Sequence, residues 1–141
     1  MRWLVYVCVI SSIAALYVPN EAHAGYIYWT ELGSGLVASD GAIRRANLDG
    51  TGKTTLVGGL ITPSRVALDG PNGQMYWSEF GSSVIRSSSL TGSNPRTLIG
   101  GLLAPGNVTL DPVHGQIFWD VEVVGVGSGS IGRAVVACST S

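Results

Sequence analysis

The chain repeats itself with a period of 42 residues, and this period constrains its fold more than any other feature. Gly115 follows Gly73, and Trp119 follows Trp77, at this spacing. Further pairs with the same offset are Ile43 with Ile85, Gly50 with Gly92, Leu60 with Leu102, Pro63 with Pro105, and Leu68-Asp69 with Leu110-Asp111. A fixed period of this size is typical of stacked supersecondary units that bury their apolar faces only against one another.

Each period contains four short strand-like runs separated by turn signals. In one period these runs are residues Arg65–Asp69, Gln74–Glu79, Val84–Leu90 and Arg96–Ile99. The second run is bulky on both faces, because Met75 and Trp77 point one way and Tyr76 the other. A strand that is apolar on both faces lies inside a stack, as in the blades of a β-propeller. The sequence therefore predicts an all-β fold of antiparallel four-stranded blades.

Three segments resemble the low-density lipoprotein receptor class B repeat, also called the YWTD repeat. They are Tyr28-Trp29-Thr30, Tyr76-Trp77-Ser78 and the more divergent Phe118-Trp119-Asp120. Ile43, Leu48-Asp49-Gly50, Leu60, Pro63 and Val66-Ala67-Leu68-Asp69 resemble the remainder of the repeat. The resemblance covers residues 25 to about 136. It implies part of a six-bladed β-propeller and an extracytoplasmic module that binds a protein or peptide. We expect no catalysis and no metal or other cofactor.

The acidic residue that ends the YWTD motif varies between the repeats. It is Glu31 in the first, Glu79 in the second and Val121 in the third. The first two repeats carry an arginine just after the isoleucine of the third strand, at Arg44 and Arg86, whereas the third has Gly132 there. We therefore predict two cross-strand ion pairs, Glu31 with Arg44 and Glu79 with Arg86, each worth roughly 0.2–1 kcal/mol.

The number of repeats is too small for a closed ring. The sequence predicts one complete blade from about Ser64 to Gly101, preceded by three strands without a first and followed by three strands without a fourth. A propeller needs at least about four blades. Three outcomes are open: a truncated piece of a longer propeller protein, a homodimer that completes a six-bladed ring, or an open stack.

The first 24 residues have the layout of a secretory signal. Arg2 precedes an apolar run from Trp3 to Val18, and the small-residue site Ala22-His23-Ala24 follows. We therefore predict a signal peptide at residues 1–24, the propeller repeats at 25–136 and a tail at 137–141, in a secreted or periplasmic protein. We expect no membrane segment to remain after cleavage. Cys138 in the tail is then the single cysteine and is unpaired or forms an intermolecular bridge.

Composition and spacing argue against several kinds of chemistry. Eight Lys and Arg residues are scattered rather than clustered, which disfavours nucleic-acid binding. Residues 50–55 resemble the end of a phosphate-binding loop but lack its first glycine. His114 stands alone in a turn and is expected to be solvated, and Asp69 and Asp111 are expected to cap turns. The glycosylation sequon at Asn107 coincides with a predicted inner strand, which disfavours its use.

The connections between the second and third strands of the repeats vary in length, which is typical of a binding face. In a propeller they share that face with the links between blades. Candidate contact residues there are Leu36, Asp40, Arg65, Phe80 and Glu122. No catalytic residue is predicted. The alternative function is a propeller enzyme of the hydrolase or lactonase type, for which the sequence offers no convincing set of metal ligands.

Overall fold

A computed structural model of the chain describes residues 25–121 and 129–136. Three predictions fall outside the described residues: the signal peptide at 1–24, the binding candidate Glu122, and the tail at 137–141 with Cys138.

The described residues form ten β-strands in three antiparallel sheets. The strands are β1 (Tyr26–Glu31), β2 (Gly41–Asn47), β3 (Thr54–Leu60), β4 (Pro63–Asp69), β5 (Gln74–Glu79), β6 (Val84–Ser89), β7 (Arg96–Ile99), β8 (Pro105–Asp111), β9 (Gln116–Val121) and β10 (Ser130–Val135). Strands β1 to β3 form the first sheet, β4 to β7 the second and β8 to β10 the third, each in sequence order. We call these sheets blades 1, 2 and 3.

The predicted fold class is confirmed, including the complete central blade and its two three-stranded neighbours. Strands β5 and β7 have the predicted bounds. Strand β4 begins earlier than predicted, because Pro63 pairs with Glu79 across a register shift. Strand β6 ends one residue earlier, and the backbone N–H of Leu90 donates to the carbonyl oxygen of Gly73 at 2.9 Å instead.

The blades pack face to face through two apolar clusters. The first joins Ile43, Val57 and Leu60 of blade 1 to Met75, Trp77 and Leu90 of blade 2. The second joins Tyr76 and Ile85 of blade 2 to Val108, Ile117 and Trp119 of blade 3. Strand β5 therefore supplies Met75 and Trp77 to one cluster and Tyr76 to the other, as its two apolar faces predict.

A recurring hydrogen bond joins blade 1 to blade 2 and blade 2 to blade 3. The hydroxyl of Thr30 in β1 donates to the carbonyl oxygen of Ser64 in β4 at 2.9 Å. The hydroxyl of Ser78 in β5 donates in the same way to the carbonyl oxygen of Gly106 in β8. Ser64 and Gly106 occupy equivalent places in the 42-residue period, so the third residue of the YWTD motif serves the same purpose twice.

Candidate functional site

Four chain connections meet at one end of the blades, and we call this surface the loop face. Two of them lie within blades, at residues 32–40 between β1 and β2 and at 80–83 between β5 and β6. The other two lead from one blade to the next, at 61–62 and at 100–104. The prediction that these two kinds of connection share a face can therefore be checked from the contacts between them.

Hydrogen bonds join the four connections into one continuous band. The hydroxyl of Thr62 donates to the carbonyl oxygen of Gly35 at 3.4 Å. The backbone N–H of Phe80 donates to the carbonyl oxygen of Thr62 at 3.0 Å, and that of Leu102 donates to Ser83 at 3.0 Å. The shared face is confirmed: two of these three hydrogen bonds join backbone atoms, and the third depends on the hydroxyl of Thr62.

The loop face also exposes apolar side chains. Those that stand out into solvent are Leu32, Leu36, Val37 and Leu103, with Leu36 65% and Val37 90% exposed. Single exposed apolar residues are ordinary, but a group on one surface is typical of an interaction site. Leu32, Val37 and Leu103 were not singled out from the sequence. The sequence signal for Leu32 and Val37 was the greater length of the first connection, in which both lie.

The structure brings two of the binding candidates close together. A Cβ atom placed on Gly81 would lie 2.7 Å from the carbonyl oxygen of Leu36, so the first connection crosses directly over the residue after Phe80. Phe80 itself is half-buried. Arg65 is exposed where β4 begins, next to the register shift that follows Pro63.

Asp40 has a structural task within the first connection. Its two carboxylate oxygens accept the backbone N–H of Ser34 at 3.0 and 3.1 Å. The backbone hydrogen bond from Ser34 holds the pKa of Asp40 below its ordinary value, because it stabilises the ionised form. Asp40 therefore closes the loop that contains Leu36. Both oxygens of its exposed carboxylate already accept the N–H of Ser34.

The buried carboxylate of Glu79 lies behind the loop face and accepts hydrogen bonds from four groups. Its Oε1 accepts the indole N–H of Trp77 at 3.0 Å and a guanidinium N–H of Arg86 at 3.2 Å. Its Oε2 accepts the hydroxyl of Ser82 at 3.0 Å and the backbone N–H of Ile61 at 3.3 Å. The predicted pair with Arg86 is confirmed. The other three donors were not predicted: Trp77 and Ser82 lie in the same blade as Glu79, and Ile61 lies in the link between blades 1 and 2.

The equivalent pair in blade 1 is also present, at the outer surface of the stack. Arg44 Nε lies 2.9 Å from Glu31 Oε2, and the indole N–H of Trp29 donates to Glu31 Oε1 at 3.4 Å. Glu31 is 43% exposed at its side chain, whereas Glu79 is 2% exposed. The two glutamates therefore make the same kind of contact with an arginine, one at the surface and one in a buried environment.

Asp69 and Asp111 lie at turns that follow the first strands of their blades. Asp69 accepts the backbone N–H of Asn72 at 3.2 Å, and Asp111 accepts those of Val113 and His114 at 3.0 and 3.2 Å. His114 was expected to be solvated. It is exposed, but its Nδ1 also lies 2.6 Å from Asp111 Oδ2.

This contact predicts a measurable titration of Asp111. Its side-chain hydrogen bond with His114 holds the pKa of Asp111 below the ordinary value. A lowered pKa in the folded state means that the contact stabilises the fold above the pKa of the unfolded carboxyl and is lost as pH falls through the folded value. We expect the carboxyl carbon of Asp111 to titrate at lower pH in the native chain than in His114→Ala, measured by NMR. Equal midpoints would contradict the contact.

Within residues 25–121 and 129–136, no three His, Cys, Asp or Glu side chains are placed so that they could share a metal ion. In the same residues, no helix is long and apolar enough to span a bilayer. The segment at 50–55 that resembles a phosphate-binding loop leads from a hairpin turn into β3, and Asp49 Oδ1 accepts the backbone N–H of Thr51 there at 2.9 Å.

Comparison with known proteins gives a relative in sequence for part of the chain. No protein-family model matches the chain. A stretch of 59 residues is 37% identical to low-density lipoprotein receptor-related protein 1 of Pyricularia oryzae and covers 39% of this chain. The chain spans only 19% of that relative's length.

Solved structures with the same arrangement of blades are numerous. The structure of a nidogen/laminin complex matches 79% of this chain with a TM-score of 0.66 and 26% identity, over 40% of its own chain. A putative TolB from Agrobacterium tumefaciens matches 77% with a TM-score of 0.61 and 9% identity, over 41% of its chain. The second likeness shows the fold alone, and both agree with the all-β blade architecture described above.

Proposed function

Because its repeats are propeller blades of the low-density lipoprotein receptor class B, or YWTD, type, we propose that this chain binds a protein or peptide through its loop face. The proposal includes a location outside the cytoplasm, after removal of residues 1–24, and no catalysis. The observation that carries it is the band of connections tied together from Gly35 to Leu102, with apolar side chains exposed along it. Support also comes from the likeness to a chain in the structure of a nidogen/laminin complex.

The loop face suits a flat or extended polypeptide better than a small molecule. Leu36 and Val37 project from the first connection, and Leu103 projects from the link between blades 2 and 3. Apolar side chains spaced over several connections bury area against a broad partner, whereas small ligands require a concave pocket. Arg65 adds a positive charge that is exposed at the start of β4.

Selection from a displayed library of random peptides tests this proposal. The purified chain is immobilised, and the enriched peptides are synthesised and titrated against three proteins: the native chain, Leu36→Ala and Leu48→Ala. The two leucines are matched, since they are 65% and 66% exposed, but Leu48 lies in the β2–β3 hairpin at the opposite ends of these strands. We expect about tenfold or greater loss of affinity for Leu36→Ala, which corresponds to about 1.4 kcal/mol, and no change for Leu48→Ala.

Two results would contradict the proposal. Equal loss in both variants, or in neither, would place the binding surface elsewhere. Hydrolysis of a lactone or ester above the rate without protein, reduced in Leu36→Ala and retained in Leu48→Ala, would make the same surface catalytic.

Location is tested separately by N-terminal sequencing of the exported protein, which we expect to begin at Gly25.

A further inference from the structure

The outer face of blade 3 exposes an isoleucine whose equivalents in blades 1 and 2 are buried. The isoleucine that stands opposite the hydroxyl residue of the YWTD motif is Ile43 in blade 1 and Ile85 in blade 2, and both are 0% exposed under the next blade. Ile131 stands opposite Asp120 in the same register of blade 3, and it is 80% exposed. Its position in the sheet is that of a core residue that nothing in the described chain covers.

The outer face of blade 1 carries the other half of the same contact. Trp77 and Trp119, which face the preceding blade, are 0% and 8% exposed. Trp29 holds the same motif position in β1 but is only half-buried, and Ile27 beside it on this face is 46% exposed. No blade of the described chain precedes it.

These two outer faces match each other. Twice within the chain, a face with an aromatic residue and an isoleucine packs on a face with a tryptophan of the following blade: Tyr28 and Ile43 on Trp77, then Tyr76 and Ile85 on Trp119. Phe118 and Ile131 continue the first kind of face. Ile27 and Trp29 continue the second. The outer face of blade 3 therefore resembles the faces that pack on a tryptophan. The outer face of blade 1 resembles the tryptophan-bearing faces on which they pack.

We propose that two copies of this chain pair, with blade 3 of each copy packed on blade 1 of the other. Two such contacts related by a twofold axis close a ring, as expected of a homodimer. Two copies of the three described blades make six, which lies within the roughly four to eight blades of closed propellers, whereas three copies make nine. The inference is independent of what the loop face binds.

Asp120 fits this arrangement. In blades 1 and 2 its position holds Thr30 and Ser78, whose hydroxyls donate to a carbonyl oxygen in the first strand of the next blade. The described part of blade 1 contains no first strand to offer such a carbonyl. Asp120 donates nothing and instead accepts the side-chain N–H of Asn107 in its own blade at 2.6 Å. Within the described residues, the outer face of blade 3 therefore has no hydroxyl donor at this position, and blade 1 has no first strand that would accept from one.

The mass of the purified chain in solution tests the pairing. We expect sedimentation equilibrium to give twice the mass of one chain, and Ile131→Asp or Ile27→Asp to give the mass of a single folded copy with an unchanged circular dichroism spectrum. Val113→Asp is the matched control, since Val113 is 69% exposed in the β8–β9 turn rather than on an outer face. It should remain a dimer. A native chain that is a monomer at every soluble concentration would overturn the proposal, as would a trimer.

Cross-linking tests which faces meet. Ile27→Cys and Phe118→Cys are made separately in a chain with Cys8 and Cys138 replaced by serine. The two proteins are then mixed with a bismaleimide that spans the roughly 10 Å between packed sheets. We expect the mixed dimer to form at least about tenfold faster than either homodimer, because tethering by the interface raises the effective concentration of the paired thiols. Faster cross-linking of Phe118→Cys to itself would show a face-to-face dimer of blade 3 and would refute the ring.

Discussion

Glu79→Ala is expected to lose about 3–5 kcal/mol of the free energy of unfolding, the range for removing one partner of a buried ion pair. The carboxylate is 2% exposed and accepts from Trp77, Ser82, Ile61 and Arg86. Its removal leaves the partly buried guanidinium and the indole N–H without their acceptor. A loss of this size is a large share of the roughly 5–15 kcal/mol that keeps a domain folded. Urea unfolding followed by circular dichroism measures it.

The matched control is Glu31→Ala, which removes the equivalent residue of blade 1. Glu31 is 43% exposed, so water replaces the lost contact with Arg44, and we expect a change of roughly 0–1 kcal/mol. Both variants are compared at a concentration at which the chain sediments as one copy. A double-mutant cycle with Arg86→Ala should give a larger coupling energy than one with Glu31 and Arg44. Equal losses in the two glutamate variants would show that burial does not set the value of this contact.

Trp77→Ala is expected to cost about 3–5 kcal/mol as well, by a different mechanism. The side chain is 0% exposed and fills the cluster between blades 1 and 2, so its removal leaves a cavity lined by both blades. Trp77→Phe keeps most of the volume but removes the N–H that binds Glu79, and we expect about 1–3 kcal/mol for it. Comparing the two variants by unfolding in urea separates the cost of the cavity from the cost of the lost hydrogen bond.

Leu48→Ala is the control for the loss of apolar volume. Leu48 is 66% exposed in the β2–β3 hairpin, and its truncation should change stability by no more than about 0.5 kcal/mol. If Trp77→Ala were as mild as Leu48→Ala, the contact between blades 1 and 2 would contribute little to folding, and each blade would have to be stable alone.

The blade architecture could be predicted from the sequence because its causes are local and are repeated. The two apolar faces of β5, the glycines at the turns and the period of 42 residues all lie within short stretches. Comparing the three repeats also predicted the ion pair of Arg86 with Glu79, since the acid and the base change together. These features do not depend on distant parts of the chain.

The environment of that pair could not be predicted in the same way. The expected 0.2–1 kcal/mol is typical of an ordinary cross-strand pair. The backbone N–H of Ile61 reaches Glu79 from the link between blades, and the approach of that link depends on the packing of blade 1. The same limit applies to the loop face: the sequence placed Leu36 and Phe80 in it, but the task of Asp40 in closing its own loop appears only in the structure.

The hydroxyl ties between blades join residues that are close in sequence. Thr30 and Ser64 are 34 positions apart, and Ser78 and Gly106 are 28 apart. Both hydrogen bonds connect one blade to the blade that follows it. Neither requires residues from a distant part of the chain. Short sequence separation lowers the entropy cost of closure and speeds folding. Each blade therefore has a docking surface ready as soon as its predecessor is formed, so the stack is suited to assembling in order, from the amino terminus, while the chain is still being made.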